Sequence, residues 1–103
     1  MNIILDDLKS HLLKNYDKSI KDIILFGSHI SGNSKKYSDY DILIILDNYY
    51  SGNDENRILD LCYDINLKHN ILLDIHLLSK SELGSIRGKQ PVFINALKHG
   101  IYA

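Results

Sequence analysis

Leu25-Phe26-Gly27-Ser28 and, after ten further residues, Asp39-Tyr40-Asp41-Ile42-Leu43-Ile44-Ile45-Leu46 form the stretch on which the fold turns. The run from Lys21 to Phe26 is β-branched and apolar, the composition of a buried strand. Gly27 and Ser28 end it. The cluster Ser31-Gly32-Asn33-Ser34 reads as a turn, so a helix opened by Ser28 has room for about one or two turns. Tyr40 to Leu46 is the strongest strand signal in the chain and is too apolar on both faces to lie at a sheet edge. Strand side chains alternate, so Asp39 and Asp41 point to one face. A Gly-Ser turn at a helix start offers free backbone N–H groups to an anion. An anion cradle beside paired carboxylates is an arrangement for a nucleoside triphosphate and Mg²⁺.

Helices and strands alternate around this stretch. Ile4, Leu5, Leu8, Leu12 and Leu13 recur at helical spacing and predict a helix over residues 3–15. Ile58, Leu61, Cys62 and Ile65 predict a second long helix over residues 54–69, capped by Ser51 or Asn53 and broken at Asn70. Ile71 to Leu78 predicts a third strand. Pro91 opens a last helix, with Val92, Phe93, Ala96 and Leu97 on one face and Gly100 at its end. If the Gly-Ser end of the first strand and the Asp end of the second serve one ligand, those strands are antiparallel neighbours. The helix at 54–69 then carries the chain across to the third strand. The expected fold class is α/β (α+β): a small mixed sheet of about three core strands, covered on one face by helices, with the site at its open edge or face.

With 103 residues the chain can build one core, and residues 1–103 read as a single domain. Apolar residues at 45% and charged residues at 24% are ordinary for a soluble globular protein. A formal net charge of −1 leaves no basic field for a phosphate backbone, so autonomous nucleic-acid binding is not expected. Cys62 stands alone, which excludes an internal disulfide and a cysteine-based zinc site and marks it as a packing residue. Asp6 and Asp7 interrupt the first apolar run, against a signal peptide, and no run reaches membrane-spanning length. The cytoplasm is the expected compartment.

A charge inside an apolar strand is costly without compensation. Two carboxylates close together raise each other's pKa unless a divalent cation neutralises both. Asp39 by itself could cap the loop after Ser38; Asp41 lies within the strand. Asp74 is a third acid, inside Leu72-Leu73-Asp74-Ile75-His76-Leu77. It either joins the other two or pairs with a lysine, His76 or Tyr63. Three aspartates on adjacent strands could hold two metal ions. His76 shares a strand face with Asp74 and either tunes it, orients a nucleotide or is a satisfied core histidine. His11 and His69 read as solvated helix residues. His99 stands near a helix C-terminus, where a cation is favoured. Tyr37, Tyr49 and Tyr50 lie in loops, either as contacts for a partner or packed on nearby strands.

Gly27-Ser28, ten residues, Asp39-Tyr40-Asp41 and the later strand acid Asp74 together resemble the minimal nucleotidyltransferase (MNT) family of the polymerase-β-like superfamily. Gly32 and Ser38 fit that pattern, and Asn95-Ala96-Leu97-Lys98-His99-Gly100-Ile101-Tyr102 looks like the family's closing helix, so the resemblance covers nearly the whole chain. It implies a nucleotidyltransferase palm-like fold and Mg²⁺-dependent transfer of a nucleoside monophosphate from a triphosphate, with release of pyrophosphate. On this resemblance Gly27 and Ser28 would hold the β- and γ-phosphates of ATP. Asp39 and Asp41 would ligate a pair of Mg²⁺ ions, for which Mn²⁺ could substitute. Asp74 would ligate the second ion and help deprotonate the acceptor hydroxyl. Small members of the family pair with a HEPN-domain toxin. The implied role is therefore that of the antitoxin of a type VII-like toxin–antitoxin pair, transferring AMP to a tyrosine of the HEPN partner. Family members often carry an arginine where this chain has His29, Ile30 and Ser31, so the phosphate grip would either be weaker or come from Lys35, Lys36 or a partner. Two alternatives stand beside this reading. One is a catalytically weak antitoxin that neutralises its HEPN partner by contact. The other is adenylyl transfer to a small molecule.

Overall fold

Helix α1 (Asn2–Asn15) precedes strand β1 (Ile20–Phe26) and strand β2 (Tyr40–Leu46); helix α2 (Gly52–His69) then leads to β3 (Leu73–Ser79), a 3-10 turn (Lys80–Gly84), helix α3 (Pro91–His99) and a two-residue strand β4 (Ile101–Tyr102). The structure is a computed structural model, and it describes residues 2–16, 20–27, 40–85 and 89–103. The expected turn at Ser31–Ser34 and the helix start at Ser28 lie outside those residues.

The sheet order is β3-β2-β1-β4. β1 runs antiparallel to both β2 and β4, whereas β2 and β3 are parallel. A parallel pair needs a long crossover, and α2 supplies it. β2 spans the expected residues and is paired on both sides, as its two apolar faces require. β3 begins two residues later than expected and extends to Ser79. The closing segment is a helix only to His99. Ile101 and Tyr102 instead pair with Leu25 and Ile24 of β1, a strand too short for periodicity to show.

Helices pack on both faces of the sheet, where one covered face was expected. α1 and α2 cover one face, burying Leu5, Leu8, Leu12, Ile58, Leu61, Cys62 and Ile65 against Ile23, Leu25, Ile42, Ile44 and Leu77. α3 covers part of the other, burying Phe93 and Ala96 against Ile24, Phe26, Leu43, Ile45 and Leu78. Val92, expected on that apolar face, is exposed, and so is Leu13 of α1. Burial pushes the Cys62 thiol up to about 12, so it is a packing group and not a nucleophile.

Local chemistry fixes the ends of α2. Ser51 is the N-cap: its hydroxyl accepts from the Asp54 N–H at 3.2 Å, and the Asp54 carboxylate accepts from the Ser51 N–H at 2.9 Å. This capping box starts the helix two residues before the expected position. Asn70 ends it in the left-handed conformation, φ 54°. The histidines read as solvated bind the helices together instead. His11 meets Asp64 at 2.8 Å and His69 meets Asp7 at 2.7 Å. Such pairs join residues more than 50 positions apart, beyond the reach of helical spacing.

Candidate active site

The C-terminal end of β1 and the N-terminal ends of β2 and β3 meet at one end of the sheet. The antiparallel register places Phe26 opposite Asp41, and the parallel register places Asp41 opposite Asp74. Three strand termini therefore bring Gly27, Asp41 and Asp74 together on the face that α3 covers only in part.

Gly27 has φ +90°, a conformation that side-chain-bearing residues rarely adopt. A Cβ on Gly27 would also collide with the Asp41 carboxylate. Conformation and close approach thus both require glycine at the turn. Ser28 and Asp39, the other two residues of the Gly-Ser and Asp-x-Asp motifs, lie outside the described residues, as do Lys35, Lys36 and Tyr37.

Asp41 is half-buried at the start of β2. The apolar surroundings of Asp74 in the sequence suggest a core acid, but β3 is the edge strand and the Asp74 side chain is 52% exposed. Its carboxylate therefore faces solvent, where an incoming ligand can reach it. The start of β3 is fixed by Asn66 of α2, whose side-chain oxygen accepts from the Leu73 N–H at 3.0 Å. Asn66 is one of two positions that spacing alone did not single out, and an amide within an otherwise ordinary helix gives no signal of that contact.

His76 lies two residues beyond Asp74 on the same face, with Nε2 3.5 Å from the Asp74 carboxylate. Its ring is bracketed by Phe26 of β1, with centroids 5.6 Å apart, and by Phe93 of α3, with centroids 6.0 Å apart in an edge-on arrangement. Phe93 is the second missed position, visible beforehand only as a core residue of α3. One ligand atom from each of Asp41, Asp74 and His76 falls within 4.8 Å of the others, so these three side chains can converge on one cation. His76 is thus the neighbour of Asp74 on its own strand face, whereas Tyr63, also expected as a partner, is exposed on α2. Tyr50 packs back on the sheet, donating to the Leu77 carbonyl at 3.2 Å. Tyr49 is 85% exposed.

Residues 8–97 match the family model described as polymerase beta, nucleotidyltransferase. The chain belongs to the polymerase beta nucleotidyltransferase family. A candidate protein adenylyltransferase of Methanocaldococcus jannaschii is 38% identical over 63 residues, which is 61% of this chain and 58% of that relative. The chain thus matches less than two thirds of the relative's length. The fold is that of two solved toxin–antitoxin structures. One is a double Asp-to-Glu mutant of MntA–HpeT, with TM-score 0.65 and 16% identity. The other is a toxin–antitoxin with AMP-PNP, with TM-score 0.62 and 19% identity. Each alignment covers 94% of this chain and 69% of the solved chain. Among the described residues no helix is long and apolar enough to cross a membrane.

Proposed function

We propose that this chain, as a single MNT domain over residues 1–103, is a metal-dependent adenylyltransferase that transfers AMP from ATP to a tyrosine hydroxyl of a HEPN-domain toxin. The observation that carries the reading is the in-register pairing of Asp41 with Asp74 beside a glycine turn that leaves room for no side chain. Family membership supports the reaction class. The name of the archaeal relative supports a protein acceptor, and the two fold neighbours support a toxin partner and an adenine nucleotide.

The donor set fits hard divalent cations, since carboxylate oxygens suit Mg²⁺ and leave positions for phosphate oxygens. Asp41, with Asp39 preceding it by two residues, would hold the ions, and Asp74 would share the second. When bound, the cations neutralise developing phosphate charge and lower the pKa of the acceptor hydroxyl. Gly27 and Ser28 would seat the β- and γ-phosphates against backbone N–H groups. The acceptor oxygen attacks the α-phosphorus, the bond to the bridging oxygen breaks, and pyrophosphate leaves. A phenol with a pKa of about 10 is a poor nucleophile at neutral pH, so its proton must be taken in place. Asp74, exposed at the sheet edge, would accept it from a hydroxyl delivered by another molecule. The cytoplasm is the compartment this reading requires.

A second reading, neutralisation by contact, draws on Leu59, Tyr63 and Leu67, which form an exposed apolar stripe along α2 at four-residue spacing. Incubation with the co-encoded helical partner, ATP and Mg²⁺, followed by mass spectrometry, separates the two. Adenylate on a partner tyrosine, lost in Asp74→Asn while the proteins still bind, is the expected result. Neutralisation that persists in Asp74→Asn with no mass gain in the wild type would favour contact alone. Transfer to a small molecule without the partner would move the acceptor away from protein.

A further inference from the structure

His76 belongs to neither the Gly-Ser nor the Asp-x-Asp motif and is not the third acid, yet a nitrogen of its ring and one carboxylate oxygen from each of Asp41 and Asp74 lie within 4.8 Å of one another. The 3.5 Å between Nε2 and the Asp74 carboxylate is too long for a charge-assisted hydrogen bond, which closes to about 2.7–2.9 Å. It does match two donor atoms converging on one ion. Ligands about 2.1 Å from a divalent cation stand about 3 Å apart at right angles and about 4 Å apart when opposed. Phe26 and Phe93 pack against the ring from β1 and from α3. The side chain is 30% exposed.

We infer that His76 is a nitrogen ligand of the divalent-cation site and gives that site a preference for a first-row transition-metal ion over Mg²⁺. The inference rests on the reading of Asp41 and Asp74 as metal ligands and adds a third donor of different chemistry. Mg²⁺ takes oxygen ligands almost exclusively and gains little from an imidazole, whereas transition ions bind imidazole readily. A site with two carboxylates and one imidazole on a rigid sheet end therefore discriminates between ions that a purely carboxylate site would treat alike.

Mn²⁺ is the probe, because its binding and its ligands are both visible by electron paramagnetic resonance. Pulsed spectra of Mn²⁺ on the intact protein should show a nitrogen coupling that changes when histidine is ¹⁵N-labelled. The coupling should vanish in His76→Gln and in His76→Phe, the second of which keeps an aromatic ring between Phe26 and Phe93. Mn²⁺ affinity should fall about tenfold or more in both variants, while Mg²⁺ affinity changes by less than about threefold. Nitrogen coupling that persists in both variants would assign another histidine and overturn the inference. Mn²⁺ bound without nitrogen coupling, yet lost in Asp41→Asn, would leave the carboxylate site standing and remove His76 from it. Failure of Mn²⁺ to bind even with AMP-PNP present would overturn the inference and the metal-dependent reading together.

Discussion

On the face covered by α1 and α2, the three long strands contribute Ile23, Leu25, Ile42, Ile44 and Leu77 to a closed apolar core. On the opposite face the same strands contribute Ile24, Leu43, Ile45 and Leu78 under α3, His76 against Phe93 of that helix, and Asp41 and Asp74 at the strand ends. The alternation of strand side chains lets a single strand serve both. Ile42 and Ile44 of β2 stabilise the fold from one side while Asp41 lies on the other, in the candidate site. Among the described residues, two helices cover the closed face and one covers part of the other. Stability and chemistry are therefore separable by face.

The comparison breaks most visibly at β2. Asp41→Asn should reduce nucleotide transfer by about 10³-fold or more, since it removes a carboxylate from the cation site. The same change should leave unfolding by urea within about 1 kcal/mol of wild type, because Asp41 lies outside both apolar clusters. If Asp41→Asn unfolds the domain, Asp41 is a structural acid and the faces are not separable. Ile44→Ala, three residues along and on the closed face, should do the reverse. It should cost about 2–5 kcal/mol in urea unfolding, since Ile44 is fully buried. The variant should still transfer nucleotide at temperatures where it remains folded.

What could be read from the chain follows the same division. β2 was legible to the residue because a run apolar on both faces has one place in a sheet, the interior. Asn70 was legible as a helix end, and Ser51 as one of two cap candidates beside Asn53, because capping is local chemistry. β4 was not, since two residues carry no period and its partner in β1 is more than 70 positions away. The second helix-covered face was hidden for a related reason. The pattern of α3 tells which of its sides is apolar and says nothing of which sheet face receives it. The nearness of Asp74 and Gly27 to Asp41 could be expected from the motif spacing, but the exposure of Asp74 depends on β3 being an edge, which only the strand order shows. His76 was legible as a neighbour of Asp74 by strand alternation, while its aromatic bracket comes from two other elements.

Gly27→Ala sharpens the boundary between the faces, because Gly27 joins β1 to the site. Holding alanine at φ +90° should cost about 1–3 kcal/mol in urea unfolding. The added Cβ must also displace the Asp41 carboxylate, so transfer should fall by more than the stability loss explains. A variant that loses stability but keeps wild-type turnover when folded would show that Asp41 need not sit where it does. Ser51→Ala is the matching change on the closed side. It removes the hydroxyl of the α2 capping box and should cost about 1 kcal/mol with no change in turnover of the folded protein.

The smallest effect belongs to the surface seam between α1 and α2. Asp7 accepts from Lys68 at 2.8 Å and from His69 at 2.7 Å. Those donors, Lys68 first, hold its pKa below the ordinary 3.8. A carboxyl lowered on folding contributes stability that is fully present above its unfolded pKa and is lost as pH falls through its folded one. The urea midpoint of wild type should therefore exceed that of Asp7→Asn at neutral pH and at about pH 5, and the gap should close as pH drops below 3.8. Lys68 is largely exposed, so about 1 M salt should narrow the gap at neutral pH through screening. Nucleotide transfer measured at neutral pH should not distinguish the two proteins, because the seam lies on the closed face. A gap that persisted unchanged well below pH 3.8 would place the contribution of Asp7 in packing, and a loss of turnover would show that the two faces communicate through the helices.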